Sequence, residues 1–95
     1  MDEVEELKEL INIINMRNFN SKDYQKMKIE ELSVNIRESM KFQQDTIQRI
    51  EEFEARDLHL DLTKYAKMIC RNTIEREILK IQDIYLKKIE TEYLN

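Results

Sequence analysis

Apolar residues recur along this chain at steps of three and four with polar residues between them, which is the period of a helix. In the first segment, residues 2–17, Val4, Leu7, Ile11 and Ile14 form one stripe, with Leu10 and Ile13 beside it. Asp2, Glu3, Glu5 and Glu6 crowd the first turn, where negative charge favours the positive end of the helix dipole. The pattern lapses over residues 15–20, where Asn15, Asn18 and Asn20 tolerate a turn and Phe19 is expected to pack back onto the bundle. Ser21 then suits an N-cap, with Asp23 in the first turn of a second helix. Ile29, Leu32, Ile36, Met40, Ile47, Ile50 and Phe53 keep one face as far as Ala55, which predicts a helix of about 34 residues and roughly 50 Å. Ser39, Gln43 and Thr46 fall on its seam, so a bundle is expected rather than a long coiled coil, or else a bend or break near residues 43–46.

Residues 56–63 read RDLHLDLT, with Leu58, Leu60 and Leu62 alternating with Asp57, His59 and Asp61. Alone, that is a strand pattern, but one short strand has nothing to pair with, so an extended connection or short helical turn is expected there. Asp61 then caps a last helix from Leu62 to about Tyr93. Within it Ile74, Ile78, Ile81, Tyr85 and Ile89 make one stripe, and Leu79, Ile84, Leu86 and Tyr93 widen it well past the usual arc of about 100°. A helix of that width must be covered on two sides, by its own chain or by a partner.

Composition agrees with an all-helical reading. The 95 residues contain neither Gly nor Pro, the residues on which tight turns and strand reversals lean. Hydrophobic residues at 41% beside charged residues at 38% suit amphipathic helices and are too apolar for a disordered tail. The net charge of −4 is uneven, since residues 1–61 carry 9 basic and 15 acidic groups and residues 62–95 carry 7 and 5. The two portions should therefore attract each other, or the last helix should prefer an acidic surface. The single cysteine, Cys70, forms no internal disulfide and points to a reducing compartment. An acidic N-terminus where a signal or transit peptide is basic, and no apolar run near the roughly 18 residues that span a bilayer, lead to the expectation of a soluble, cytoplasmic protein without membrane partners.

Candidate chemistry is sparse. Asp57, His59 and Asp61 would share one face of an extended segment, but zinc wants a further ligand, so boundary aspartates around a solvent-facing histidine are the preferred reading. Cys70 has only His59 to act as a base and reads as core volume. A phosphate-cradling loop cannot form without Gly, and pairs such as Glu75 with Glu77 or Glu51 with Glu52 read as solvated faces. Neither catalytic residues nor a cofactor or metal site are expected. Lys64, Lys67 and Arg71, and Arg76, Lys80 and Lys87, follow helical spacing and could contact phosphates, although Glu75, Glu77, Asp83 and Glu90 dilute them.

The order of features resembles the helical domain of archaeal GINS subunits over nearly the whole chain. It is carried by the acidic first helix (EVEELKELI), the entry Ser21-Lys22-Asp23-Tyr24, a long amphipathic helix, and a final helix with Glu75, Ile78, Ile81 and the run Tyr85-Leu86-Lys87-Lys88-Ile89. The resemblance implies a non-catalytic scaffold that joins like subunits into a tetramer and bridges the replicative helicase to its accessory factors, with last helices packed against neighbouring subunits.

The sequence thus predicts one all-α domain over residues 1–95. It should be a mainly antiparallel three-helix bundle with long second and third helices, and a fourth helix if the second breaks. Its core is expected from Leu7, Ile11, Ile14, Ile29, Leu32, Ile36, Ile47, Ile50, Tyr65, Ile69, Ile74, Ile78, Ile81 and Tyr85. The functional expectation is a protein-protein interaction module acting on a protein partner or a second copy through Leu79, Ile84, Leu86 and Tyr93. The alternative is a small nucleic-acid-binding regulator using the six basic residues named above.

Overall fold

The computed structural model describes residues 2–19 and 22–94, so the expected cap at Ser21 lies outside it, as do the side chains of Asn18 and Phe19. Helix α1 spans Glu3–Phe19, α2 spans Ile29–Ala55 and α3 spans Leu60–Ile89, with a 3-10 turn at Tyr24–Lys26 and a wider π turn at Glu90–Leu94. Among the described residues there is no strand, and the chain is an all-α bundle.

Asp2 starts α1, its carboxylate accepting the Glu5 amide at 2.9 Å while Glu3, Glu5 and Glu6 occupy the first turn. The second helix begins later than the sequence predicts, because Met27 and Lys28 are extended and separate it from the 3-10 turn. Burial decides this. Tyr24 sits in a cluster with Leu32, Ile81 and Ile84, and an uninterrupted helix from Ser21 would carry that ring along the α2 surface instead. From Ile29 onward α2 is continuous for 27 residues, so the expected break near 43–46 does not occur. Its polar seam is accommodated by partners: Ser39 and Thr46 are buried, and Gln43 donates to Glu75 Oε2 of α3 at 3.1 Å.

The reversal from α2 to α3 uses no glycine. Leu58 N–H donates to the Phe53 carbonyl at 3.1 Å and Asp57 N–H to the Glu54 carbonyl at 3.0 Å, the paired bonds of a Schellman ending. Asp57 takes the left-handed position at φ 54°, and His59 repeats it at φ 50°. Aspartate and histidine tolerate that region better than most side chains. His59, not Asp61, is the residue at the N-cap of α3, and Asp61 lies in its first turn.

Ion pairs fix the directions. Glu6 pairs with Arg49 while Arg17 bonds Ser39, so α1 is antiparallel to α2. Lys67 reaches Glu54 and Gln43 reaches Glu75, so α2 is antiparallel to α3. Helix α3 packs closely against both neighbours, whereas the α1 and α2 backbones stand farther apart and are bridged by side chains such as Arg17 on Ser39 and Phe42. One cluster joins Ile14, Ile50, Ala66, Cys70, Ile74 and Ile78; the other surrounds Tyr24. Most of the expected core is buried or half-buried, with Tyr65 as the exception at 53% exposed. Met40, expected on the packed face of α2, is also exposed.

Ile74→Ala should lower the unfolding free energy by about 2–5 kcal/mol, and Tyr65→Ala by less than about 0.5 kcal/mol. Asp57→Gly should raise it by about 1 kcal/mol, because glycine has no side-chain penalty in the left-handed region. Urea titrations followed by circular dichroism check all three.

Candidate interaction surface

The buried residues of α3 run along one side, through Ala66, Cys70, Ile74, Ile78, Ile81 and Ile84. The next residue along a helix lies about 100° around it, so Leu79 turns away from Ile78 and is 56% exposed. Leu86 follows seven residues on, 62% exposed, and Tyr93, 70% exposed, lies beyond α3 in the π turn. Ile84 does not join them. It is only 6% exposed, packed with Tyr24, Leu32 and Ile81, and so has no free surface to offer a partner. The spacing could have shown this, since two residues apart on a helix means roughly opposite sides. The same outer face carries Tyr65, which the sequence reading also counted in the core, and Met68, 63% exposed, both of which begin the broad apolar surface expected of this helix. Leu86 also lines a groove between α2 and α3 with Ser33, Ile36, Arg37, Gln82 and Tyr85, about 450 Å³ in volume.

Under the opposite side of α3 lies a polar cluster that periodicity does not reveal. Glu77 accepts from the Tyr24 hydroxyl at 3.1 Å and from the Ser39 hydroxyl at 3.5 Å. Arg17 donates to Ser39 Oγ at 2.8 Å and stacks its guanidinium over the Phe42 ring at 4.5 Å. Arg17 Nε lies 3.2 Å from Glu77 Oε2, an ion pair whose angle leaves that N–H without a hydrogen-bond acceptor. Burial, and after it the nearby Glu77 charge and hydrogen bond, push the Tyr24 phenol up to about 12 against a smaller opposing effect of Arg17. Three helices and the 3-10 turn are thereby tied at one carboxylate.

The six basic residues do not gather into one surface. Lys67 is mostly covered, its ammonium 3.4 Å from Glu54 and 3.7 Å from Glu51. Lys64 and Arg71 are exposed on one edge of α3, and Arg76, Lys80 and Lys87 lie about 120° to 180° around the helix from them. Lys87 is held by Asp83 at 3.0 Å. The apolar stripe runs between the two edges. The pairing of Lys67 with α2 acids is where the uneven charge of the chain is used.

Asp57, His59 and Asp61 are spread over a helix end, a turn and the start of α3, and among the described residues no three potential ligands come together to hold a metal ion. Cys70 is fully buried in the first cluster, and burial pushes its thiol up, away from the reactive thiolate. Among the described residues no helix is long and apolar enough to cross a membrane.

Glu77→Gln should destabilise the fold by about 2–3 kcal/mol, since it leaves Arg17 half-buried without its counter-charge. Because the Tyr24 phenol titrates higher folded than its ordinary 10.0, its contribution is fully present below that pH and is lost as pH rises towards about 12. Alkaline unfolding curves of wild type and Tyr24→Phe should accordingly converge across that interval, as read by circular dichroism.

No family model, no curated protein and no solved structure matches this chain.

Proposed function

We propose that this chain is a non-catalytic helical interaction module, a subunit of a larger assembly, and that it binds its protein partner through the outer face of α3. The observation that carries the reading is the row of exposed apolar side chains at Tyr65, Met68, Leu79 and Leu86 on a helix whose other side is already filled, with exposed Tyr93 in the π turn just beyond it. Such a row costs solubility in a free monomer and gains free energy when water is removed from it. The resemblance of the chain to archaeal GINS subunits supports the sharper form of the proposal, a scaffold in DNA replication. The split arrangement of the basic residues favours protein over nucleic acid as the partner.

Affinity capture from the native cell should retain a defined protein partner that is lost with Leu79→Asp/Leu86→Asp, while circular dichroism of the variant stays unchanged. In the sharper form the captured set includes components of the replicative helicase. A wild-type chain that stays a monomer of 11.7 kDa in light scattering and captures nothing would overturn the proposal. Duplex and single-stranded nucleic acid should show no retardation at about 50 mM salt, where phosphate contacts are strong.

A further inference from the structure

Met40, Leu79 and Leu86 are exposed apolar side chains on two different helices, and the register of those helices sets them along one groove. Gln43 of α2 meets Glu75 of α3. Because the helices are antiparallel, Met40, one turn back on α2, stands level with Leu79, one turn on along α3. In the same sense Ile36 comes level with Gln82, and Ser33 with Tyr85 and Leu86, the side chains around the groove of about 450 Å³. The apolar strip therefore extends from Ser33 to Gln43, about 15 Å along α2. Ile36 and Tyr85 form its half-buried floor, where they pack on the cluster around Tyr24.

Two properties of this strip select its occupant. Both walls are helical throughout, so their backbone N–H and C=O groups are already paired and offer no edge to which a strand could add. An occupant that satisfies its own backbone is a helix, laying apolar residues at steps of three and four into the strip. The second property is charge. Between Ser33 and Gln44 the charged residues on the open edge of α2 are Arg37 and Lys41, both exposed, and neither makes an ion pair among the described residues. The open edge of α3 is nearly balanced, Arg76, Lys80 and Lys87 standing with Asp83 and Glu90, and Asp83 is held by Lys87 at 3.0 Å. An incoming helix is therefore attracted if its flank towards α2 is acidic and repelled if that flank is basic. The acidic helices of this chain, α1 and α2, have already buried their own stripes, at Leu7 and Ile14 and at Leu32 and Ile50. The occupant must come from a different protein.

We propose that the groove between α2 and α3 holds an acidic amphipathic helix of a different protein, its apolar stripe lying between Met40 and Leu86 and its acidic flank against Arg37 and Lys41. This rests on the interaction reading above and supplies the chemistry of the partner.

The probe is a displayed library of helical peptides of about four turns, with apolar residues fixed at i, i+4 and i+7 and the charged flanks free to vary, selected against the full chain. Binders should carry Asp or Glu on one flank. For the tightest of them Arg37→Glu should weaken binding about tenfold, and exchanging the peptide's acid for lysine should recover binding to that variant. Leu86→Asp should abolish binding, while Met16→Asp, at an exposed apolar residue of α1, should leave it unchanged. All three positions are exposed, so circular dichroism of the variants should match wild type. No binder, binders with a basic flank, or binding indifferent to Arg37→Glu or Leu86→Asp would overturn the acidic helix. A wild-type dimer in sedimentation equilibrium that Leu86→Asp dissociates would also overturn it, since a second copy would then fill the groove. Capture from the native cell separates this proposal from the reading beneath it. A protein lost with Leu79→Asp/Leu86→Asp but retained by Arg37→Glu removes the acidic helix and keeps the interaction face, whereas a chain that captures nothing removes both.

Discussion

A carboxylate inside a helical bundle has to be met by donors, and Glu77 is met from every element that comes near it. Arg17 reaches it from α1, Tyr24 from the 3-10 turn and Ser39 from α2. Removing any of these would leave a group partly withdrawn from water without its partner, and such a loss is larger than the net gain from making one hydrogen bond. The cluster therefore acts less as a source of stability than as a constraint on arrangement. Arg17 fixes how far α1 slides along α3, and the Tyr24 hydroxyl fixes where the chain must turn before α2 begins. Apolar packing alone would tolerate neighbouring registers, since isoleucines at steps of three and four offer similar surfaces to a shifted partner.

With that register set, the roles of the helices follow. Among the described residues helix α3 packs most closely on two others, because the α1 and α2 backbones stand farther apart and meet through long side chains. Two neighbours on one helix leave it an uncovered arc, and the arc falls on the line of Leu79 and Leu86. The opposite charges of the two chain portions support the same arrangement from within, Lys67 of α3 meeting Glu51 and Glu54 of α2. Basic residues that serve the fold in this way are not free to serve phosphate, and those that remain exposed stand on separate edges.

The number of helices, their order and most of the buried isoleucines were legible in the sequence, because a 3.6-residue period is a local property and survives without knowledge of neighbours. Leu7, Ile14, Leu32, Ile50, Ile74 and Ile81 are fully buried as their spacing requires. The absence of glycine and proline correctly excluded strands, yet it gave no hint that Asp57 and His59 would make the reversal themselves. What periodicity could not supply is which part of a wide apolar arc is covered. Tyr65 and Ile84 show the failure in both directions. Tyr65 continues a helical stripe but lies beyond the reach of α2, whereas Ile84 looks surplus until the 3-10 turn brings Tyr24 against it. The polar cluster was hidden for the same reason, since Arg17, Ser39 and Glu77 lie 22 and 38 residues apart.

The exposed face of α3 also obeys a different period from the buried one, and the difference bears on what can cover it. A residue repeating every seven positions drifts by only about 20° per repeat on a straight helix, so Tyr65, Leu79 and Leu86 stay within reach of one long neighbour. Short or irregular segments would meet part of such a row and leave the rest wet. A straight helix of comparable length meets all of it. The polar members of the row, Asn72, Glu75 and Gln82, add the condition that whatever covers them must offer hydrogen-bond partners. Glu75 already has one such partner, the Gln43 amide of α2 at 3.1 Å.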